Sequence, residues 1–425
     1  MRCTAPLFAL FLAGCGARTA LDVPVDASAP DIAAVDAARV DTLLVDAAPP
    51  DATRPDAAPP VDVPLSACAR WTATRPRAIT SPDRDRAPGA VRVLDDRVWI
   101  GYQSSNPDPP GNQAWFVQVT DALGAPVADA RRVLPSPGEL QSYGPLSLWT
   151  DPVTRVHAAM AWDEGRGCNI VRLADDASPR GAALRVGDVD CFSVVATRSG
   201  WSLLTREPVG GVFTQLHVTD DAGRERSTLR LPGGAARVVA STRLVFSDET
   251  FLYAWATATT VFVRRFDASG RAVSPEARFE AGVSVSSVRL AESSDEVVLG
   301  WSGSLADADS RIALTRVSRD GVRASPTASM TMPGPRVGDW SVAVRGVDLA
   351  LLWNSGGEGR DATLRFAVLD AQRLTARTAI DVPGVGFPHQ MSLRATSRGF
   401  VGVYGALPAA GLTEVWTIAF PCDAR

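Results

Sequence analysis

Lysine is absent from all 425 residues, and the 43 basic residues are all arginine. So uniform a choice reflects genomic base composition and marks no binding device. Histidine is nearly absent too. His157, His217 and His389 are the three copies, far apart and at unrelated places, so no local catalytic or metal pair exists. Beyond a short apolar run at the start, no stretch approaches the ~20 residues of a transmembrane helix. Gly-x-Ser-x-Gly, Walker-type and dinucleotide-binding fingerprints are missing, which removes the local signatures of a nucleophile elbow and of nucleotide loops. No C-x2-C spacing occurs among the six cysteines, which argues against structural zinc. No window shows a sustained helical period flanked by caps.

What is present begins with Met1-Arg2, an apolar run from Pro6 to Leu12, and Leu12-Ala13-Gly14-Cys15. A basic start, a short apolar core and small residues at the cut fit a secretory leader. The four-residue motif resembles the lipobox of bacterial lipoproteins. The resemblance implies a leader over 1–14, cleavage before Cys15, and lipid attachment at Cys15. Several acyl chains anchor stably where one binds only marginally. Gly16 rather than Asp after the cysteine implies the outer membrane under that family's sorting rule. The expected location is therefore the cell envelope, lipid-anchored, on the periplasmic face or the cell surface.

Residues 16–67 lack aromatics and Glu, and Asp recurs about every fifth position from Asp22 to Asp62. A period of five matches neither a helix face nor a strand face. With frequent Pro and like charges, such a segment cannot bury enough apolar surface to order itself. Residues 15–67 are thus expected to be the lipidated cysteine plus a disordered tether. Its reach lies between a coil of roughly 40 Å and an extended rod of about 160 Å. Single spaced carboxylates without Gly turns do not form a calcium cage. Nine Asp against three Arg leave the linker at −6. With one Arg in the leader and −4 overall, residues 68–425 come to +1, so no basic stripe points to nucleic acid.

Residues 68–425 carry one motif seven times. An aromatic ends a hydrophobic strand at Tyr102, Trp162, Trp255, Trp301, Trp353 and Tyr404, with Thr205 in the third repeat. The intervals are 60, 43, 50, 46, 52 and 51. A second column follows the next strand, at Asp121, Asp175, Asp220, Asp267, Asp320 and Asp370. Gly124, Gly223, Gly270 and Gly321 come soon after, and Asp followed by Gly is hairpin-turn chemistry. Four short strands fit each repeat, as in Val285–Ala291, Glu296–Trp301, Arg311–Val317 and Ala328–Met332. A period of about 40–50 residues with short strands is a propeller signature. The expected fold is all-β: a seven-bladed β-propeller of four-stranded antiparallel blades, preceded by the signal peptide and the disordered linker. Six or eight blades stay open if the second or third repeat is misplaced. The aromatic column is expected to be packing between blades.

The last repeat ends after a third strand, Glu414–Phe420, and Ala69–Ile79 can supply the fourth. This resembles the strand exchange that closes many propellers. Cys68, Cys168, Cys191 and Cys422 remain after Cys3 and Cys15 are removed, and four cysteines allow three pairings. The repeat layout favours Cys68–Cys422, at the ring's seam, and Cys168–Cys191, between blades two and three. The resemblance is to the architecture alone. The Gly-His and Trp-Asp marks of WD40 repeats, the Gly-Gly of kelch repeats and the sialidase box are missing, so no family's catalytic residues can be carried over.

Asp307-Ala308-Asp309-Ser310 resembles the opening of a calcium loop, without the Gly and distal Glu of an EF-hand. It reads first as a solvated loop, with Asp307 and Asp309 the sole metal candidates and calcium the sole candidate ion. Glu139, Glu164, Asp188, Asp190, Asp339 and Glu358 fall in loops expected to rim one face, and Tyr143, Trp340 and Phe387 lie near them. Longer loops such as Gln103–Asn112, Pro135–Gly144 and Asn354–Asp361 could shape a cleft. Two carboxylates roughly 5–10 Å apart would permit glycoside hydrolysis. No cofactor and no catalytic set is expected. The first functional expectation is a monomeric, surface-anchored, non-enzymatic binding or scaffolding module for a protein, glycan or envelope partner. The second is an extracytoplasmic polysaccharide hydrolase or lyase using loop carboxylates.

Overall fold

The computed structural model describes residues 68–424 apart from 81–84, 107–111, 135–145, 151–155, 164–166, 187–189, 198–199, 207–213, 232–239, 247–249, 293–295, 306–308, 333–338, 356–362, 383–386 and 408–412. Leader, lipobox cysteine and linker therefore lie outside the described residues. Within them the chain forms seven antiparallel sheets of four main strands. The first strands are Asp85–Leu94, Ser147–Thr150, Asp190–Thr197, Ala240–Val245, Ser284–Glu292, Trp340–Arg345 and Phe387–Thr396. All seven border one central cavity, so they are the innermost strands of a seven-bladed propeller. Blade 5 then runs outward through Glu296–Ser304, Ser310–Ser318 and Ala328–Met332, close to the segments expected from the repeat.

Burial explains why second strands read as continuous apolar runs and outer strands do not. Every residue of Phe251–Ala256 is buried, whereas every residue of Glu225–Arg230 is exposed. A strand covered on both faces needs no polar alternation. Seven apolar clusters fill the seven spaces between adjacent blades. The aromatic column supplies several of them. Trp255 packs with Leu204 and Leu216 of blade 3, Trp301 with Leu252 and Val263 of blade 4, and Trp353 with Ile312 and Leu314 of blade 5. Tyr404 joins Phe366 of blade 6, and Tyr102 joins Val401 of blade 7. The side chain of Trp162 lies outside the described set. The blades approach closely: a Cβ on Gly300 would stand 2.6 Å from the Trp340 ring of the next blade.

The hairpin column takes the expected form in three blades. Asp121, Asp220 and Asp267 each accept, on Oδ1, two backbone N–H bonds from their own turn. Gly124, Gly223 and Gly270 close those turns at φ 78°, 75° and 85°. Three blades depart from it. In blade 5 Ser318 opens the turn, and Asp320 sits inside it, accepting from Val322 N. In blade 2 Asp176, not Asp175, accepts from Ser178, while Asp175 lies 3.2 Å from His157. Blade 2 and blade 6 place Ala177 (φ 65°) and Leu374 (φ 55°) where others place Gly.

Blade 7 is built from both ends of the propeller chain. Cys68–Trp71 and Arg77–Ala78 both pair with Glu414–Ala424. Pro76, which has no N–H to offer the ladder, sits at the break between them. Cys68 and Cys422 form a disulfide with Cα atoms 5.1 Å apart. Both cysteines lie inside the paired strands rather than just outside them, because pairing runs on to Ala424. Cys168 and Cys191 form the second disulfide, linking the third strand of blade 2 to the innermost strand of blade 3.

Candidate functional site

The central cavity has a volume of about 850 Å³, within the range of small-molecule sites. Its wall is the free edge of seven innermost strands, and such an edge presents unpaired carbonyls and amides. Arginines answer some of them, clasping blade to blade. Arg394 of blade 7 donates from Nε to Val91 O of blade 1 at 2.8 Å. Arg289 of blade 5 donates to Trp340 O of blade 6 at 3.3 Å. Arg243 of blade 4 donates to Ser193 Oγ (3.0 Å) and Ser202 O (2.9 Å) of blade 3. Arg92 of blade 1 donates to its neighbour's carbonyl, Val91 O, at 3.1 Å.

Among the described residues, five arginines and two carboxylates line the cavity. Both carboxylates are engaged. Glu292 pairs with Arg319 at 2.7 Å. Asp339 lies 3.3 Å from Arg289 and accepts the N–H groups of Met391 (2.5 Å) and Trp340 (2.9 Å). Burial pushes the Asp339 carboxyl above its ordinary value, against the pull of Arg289 and those two amides. Burial likewise raises Glu292, opposed by Arg319.

Arg92, Arg243 and Arg394 have no carboxylate partner among the described residues. Burial, and then the neighbouring Arg92, bring Arg243 down to about 9. Arg394 falls to about 9 through burial and the fields of Arg92 and Arg289. Burial lowers Arg92 too. Arginine does not lose its proton in proteins, so three positive charges without a described carboxylate partner stand around one cavity. Each guanidinium carries five donors, and none of the three spends all of them on the protein.

Of the residues singled out from sequence, Asp339 lies on this wall. Trp340 is buried and donates Nε1–H to Ser287 Oγ at 2.5 Å, so it covers the core between blades 5 and 6. Asp190 and Phe387 begin the innermost strands of blades 3 and 7. Cys15, Glu139, Tyr143, Glu164, Asp188, Asp307 and Glu358 lie outside the described residues, as does most of the three longer loops. Asp309 closes a loop by accepting Leu305 N–H on its backbone carbonyl. No three His, Cys, Asp or Glu side chains gather as a metal would require among the described residues. The histidines stay apart: His157 meets Asp175 and the Trp99 ring, and His217 meets Glu225, Gln215 and Thr228.

The channel arginines escaped the sequence reading, although a signal exists. Val91-Arg92-Val93, Thr242-Arg243-Leu244, Val288-Arg289-Leu290 and Leu393-Arg394-Ala395 each place Arg between two uncharged residues of a first strand. One such Arg is unremarkable, but four at the same strand of different repeats form a column.

No family model matches the chain, and no curated protein matches it. Among solved structures, BBS1N in complex with ARL6DN is similar at a TM-score of 0.47 and 12% identity, over 84% of this chain and 98% of that one. Pyrococcus horikoshii acylaminoacyl peptidase is similar at 0.45 and 9%, over 78% of this chain and 51% of that one. The dihydro-heme d1 dehydrogenase NirN is similar at 0.41 and 11%, over 70% and 66%.

Proposed function

We propose that this chain is an envelope lipoprotein whose propeller head is a non-enzymatic binding module, with the axial channel as its ligand site. The channel is the observation that supports this reading. It is a cavity of about 850 Å³ bordered by the innermost strands of all seven blades. Its polar groups suit recognition better than acid–base work, since its two described carboxylates are held by arginines. Glycoside hydrolysis needs an acid and a base or nucleophile on opposite sides of one bond. The lipobox motif Leu12-Ala13-Gly14-Cys15 and the acidic segment behind it supply an anchor and a spacer. The head would stand off the outer membrane and present its channel to a protein, glycan or envelope partner.

Two measurements test this. The full chain should fractionate with membranes, and Cys15→Ala should move it to the soluble fraction. Titrated with a panel of envelope polysaccharides and their fragments, the full chain should bind at least one without releasing products. New reducing ends or unsaturated sugars would replace the binding reading with the hydrolase or lyase one. Absence of binding to any envelope material would remove it.

A further inference from the structure

We infer that the axial channel selects a small polyanion, a molecule presenting anionic oxygens on more than one side, gripped by Arg92, Arg243 and Arg394. The inference rests on the channel being the ligand site, and it names the chemical class of that ligand.

Three observations lead to it. First, the three guanidiniums come from blades 1, 4 and 7 and line one cavity. Arg92 and Arg394 both donate to Val91 O, while Arg243 stands on blade 4, so a ligand with oxygens on more than one side can meet all three. Second, no carboxylate among the described residues pairs with them. The lining carboxylates, Asp339 and Glu292, are engaged by Arg289 and Arg319. An uncompensated, partly desolvated charge is costly, and the mutual repulsion of Arg92, Arg243 and Arg394 adds to that cost. A bound anion relieves both terms at once. Third, the forks are held ready. Nε or Nη1 of each is fixed on a backbone carbonyl or serine of a rigid strand, which orients the remaining N–H groups without ligand. Guanidinium forks match carboxylate and phosphate oxygens bidentately.

Clasping strand edges accounts for one or two donors of Arg92 and Arg394. It does not account for the choice of a permanently charged group three times over. Gln or Asn would satisfy a carbonyl without charge.

The test is calorimetric titration of the full chain with inorganic pyrophosphate, citrate and acetate at low ionic strength. Pyrophosphate or citrate should bind saturably, at least tenfold tighter than acetate, and weaken steeply with salt. Which of the two binds better separates a phosphate-bearing from a carboxylate-bearing ligand. Arg394→Gln should weaken binding at least tenfold. Arg278→Gln, the same charge change at an exposed pair with Glu280, should leave it unchanged. Should Arg394→Gln fail to fold, Arg394→Lys keeps the charge, loses the fork, and should still weaken binding several-fold. Absence of saturable binding by either polyanion, or equal loss in Arg278→Gln, overturns the inference. If a neutral envelope glycan instead binds and Arg394→Gln does not disturb it, the binding-module reading survives and the polyanion assignment fails.

Discussion

Blade 6 and blade 7 are the same four-stranded object made in two ways. In blade 6 the four strands are consecutive in the chain, and the outer strand Ala376–Val382 arrives by a hairpin opened by Asp370. In blade 7 the outer strand arrives from the other end of the propeller, with Cys68 and Cys422 separated by 354 residues. A hairpin costs little chain entropy to close, whereas a strand from so far away costs much more. Blade 7 meets that cost with a disulfide, and with Trp71, whose ring lies 5.3 Å from Phe400 and 6.3 Å from Phe366. The two sheets thus differ in what secures the outer strand. Local turn chemistry suffices where the chain is continuous, and covalent and aromatic anchors take over where it is not.

This contrast can be broken at the seam first. Cys68→Ser with Cys422→Ser should lower stability by on the order of 5 kcal/mol, because the crosslink closes nearly the whole propeller chain. Denaturant unfolding with and without reductant measures it, and a loss no larger than at the other disulfide would contradict the seam argument. Trp71→Ala should cost about 3–5 kcal/mol as a buried aromatic truncation, read as a shift in urea midpoint. Cys168→Ser with Cys191→Ser, which releases a separation of only 23 residues, should cost roughly 3 kcal/mol in the same assay.

The hairpins should fail by acid instead. Asp176 is held below its ordinary value chiefly by the Ser178 hydroxyl and then by Ser178 N–H. Asp320 is lowered by the Ser318 hydroxyl and then by Val322 N–H. A carboxyl lowered in the folded state stabilises above its unfolded value and loses that contribution as pH falls through the folded one. Protection of the amides in these turns, taken relative to the intrinsic exchange rate at each pH, should therefore fall below about pH 4, where unfolded Asp begins to take up protons. Asp339 has the opposite sign: its raised carboxyl contributes most at low pH, and that contribution disappears as pH rises through its folded value. Pattern-wide loss of protection starting at the seam rather than the turns would blur the comparison. The smallest effect should come from Ala177→Gly. Relief of a left-handed alanine is worth about 1 kcal/mol, and thermal unfolding should rise slightly rather than fall.

Much of this architecture was legible beforehand because its causes are local. Strand length, Asp-Gly turns and a repeating aromatic are short-range features, and they gave the blades, the seam and both sulfur pairs. Where the reading slipped, the cause was also local: blade 2 moves the turn carboxylate from Asp175 to Asp176 and blade 5 opens its turn with Ser318, and no spacing rule announced it. The site was less visible. Trp340 was expected near the rim carboxylates, yet it is buried against Ser287, since one residue's position along an inner strand decides between core and channel. Arg394 follows the core residue Leu393, and Arg92 follows the core residue Val91, with nothing in the local composition to separate their fates.

By itself, then, the sequence determined the repeat, the strands within it, the chemistry of its turns and the cysteines available for pairing, because each depends on residues a few positions apart. Only the tertiary structure decided that Arg92 and Arg394, some 300 residues apart, share one cavity with Arg243. Radial closure brings the first strand of every repeat to a common axis, and charges that are solitary in sequence become a cluster when the ring shuts.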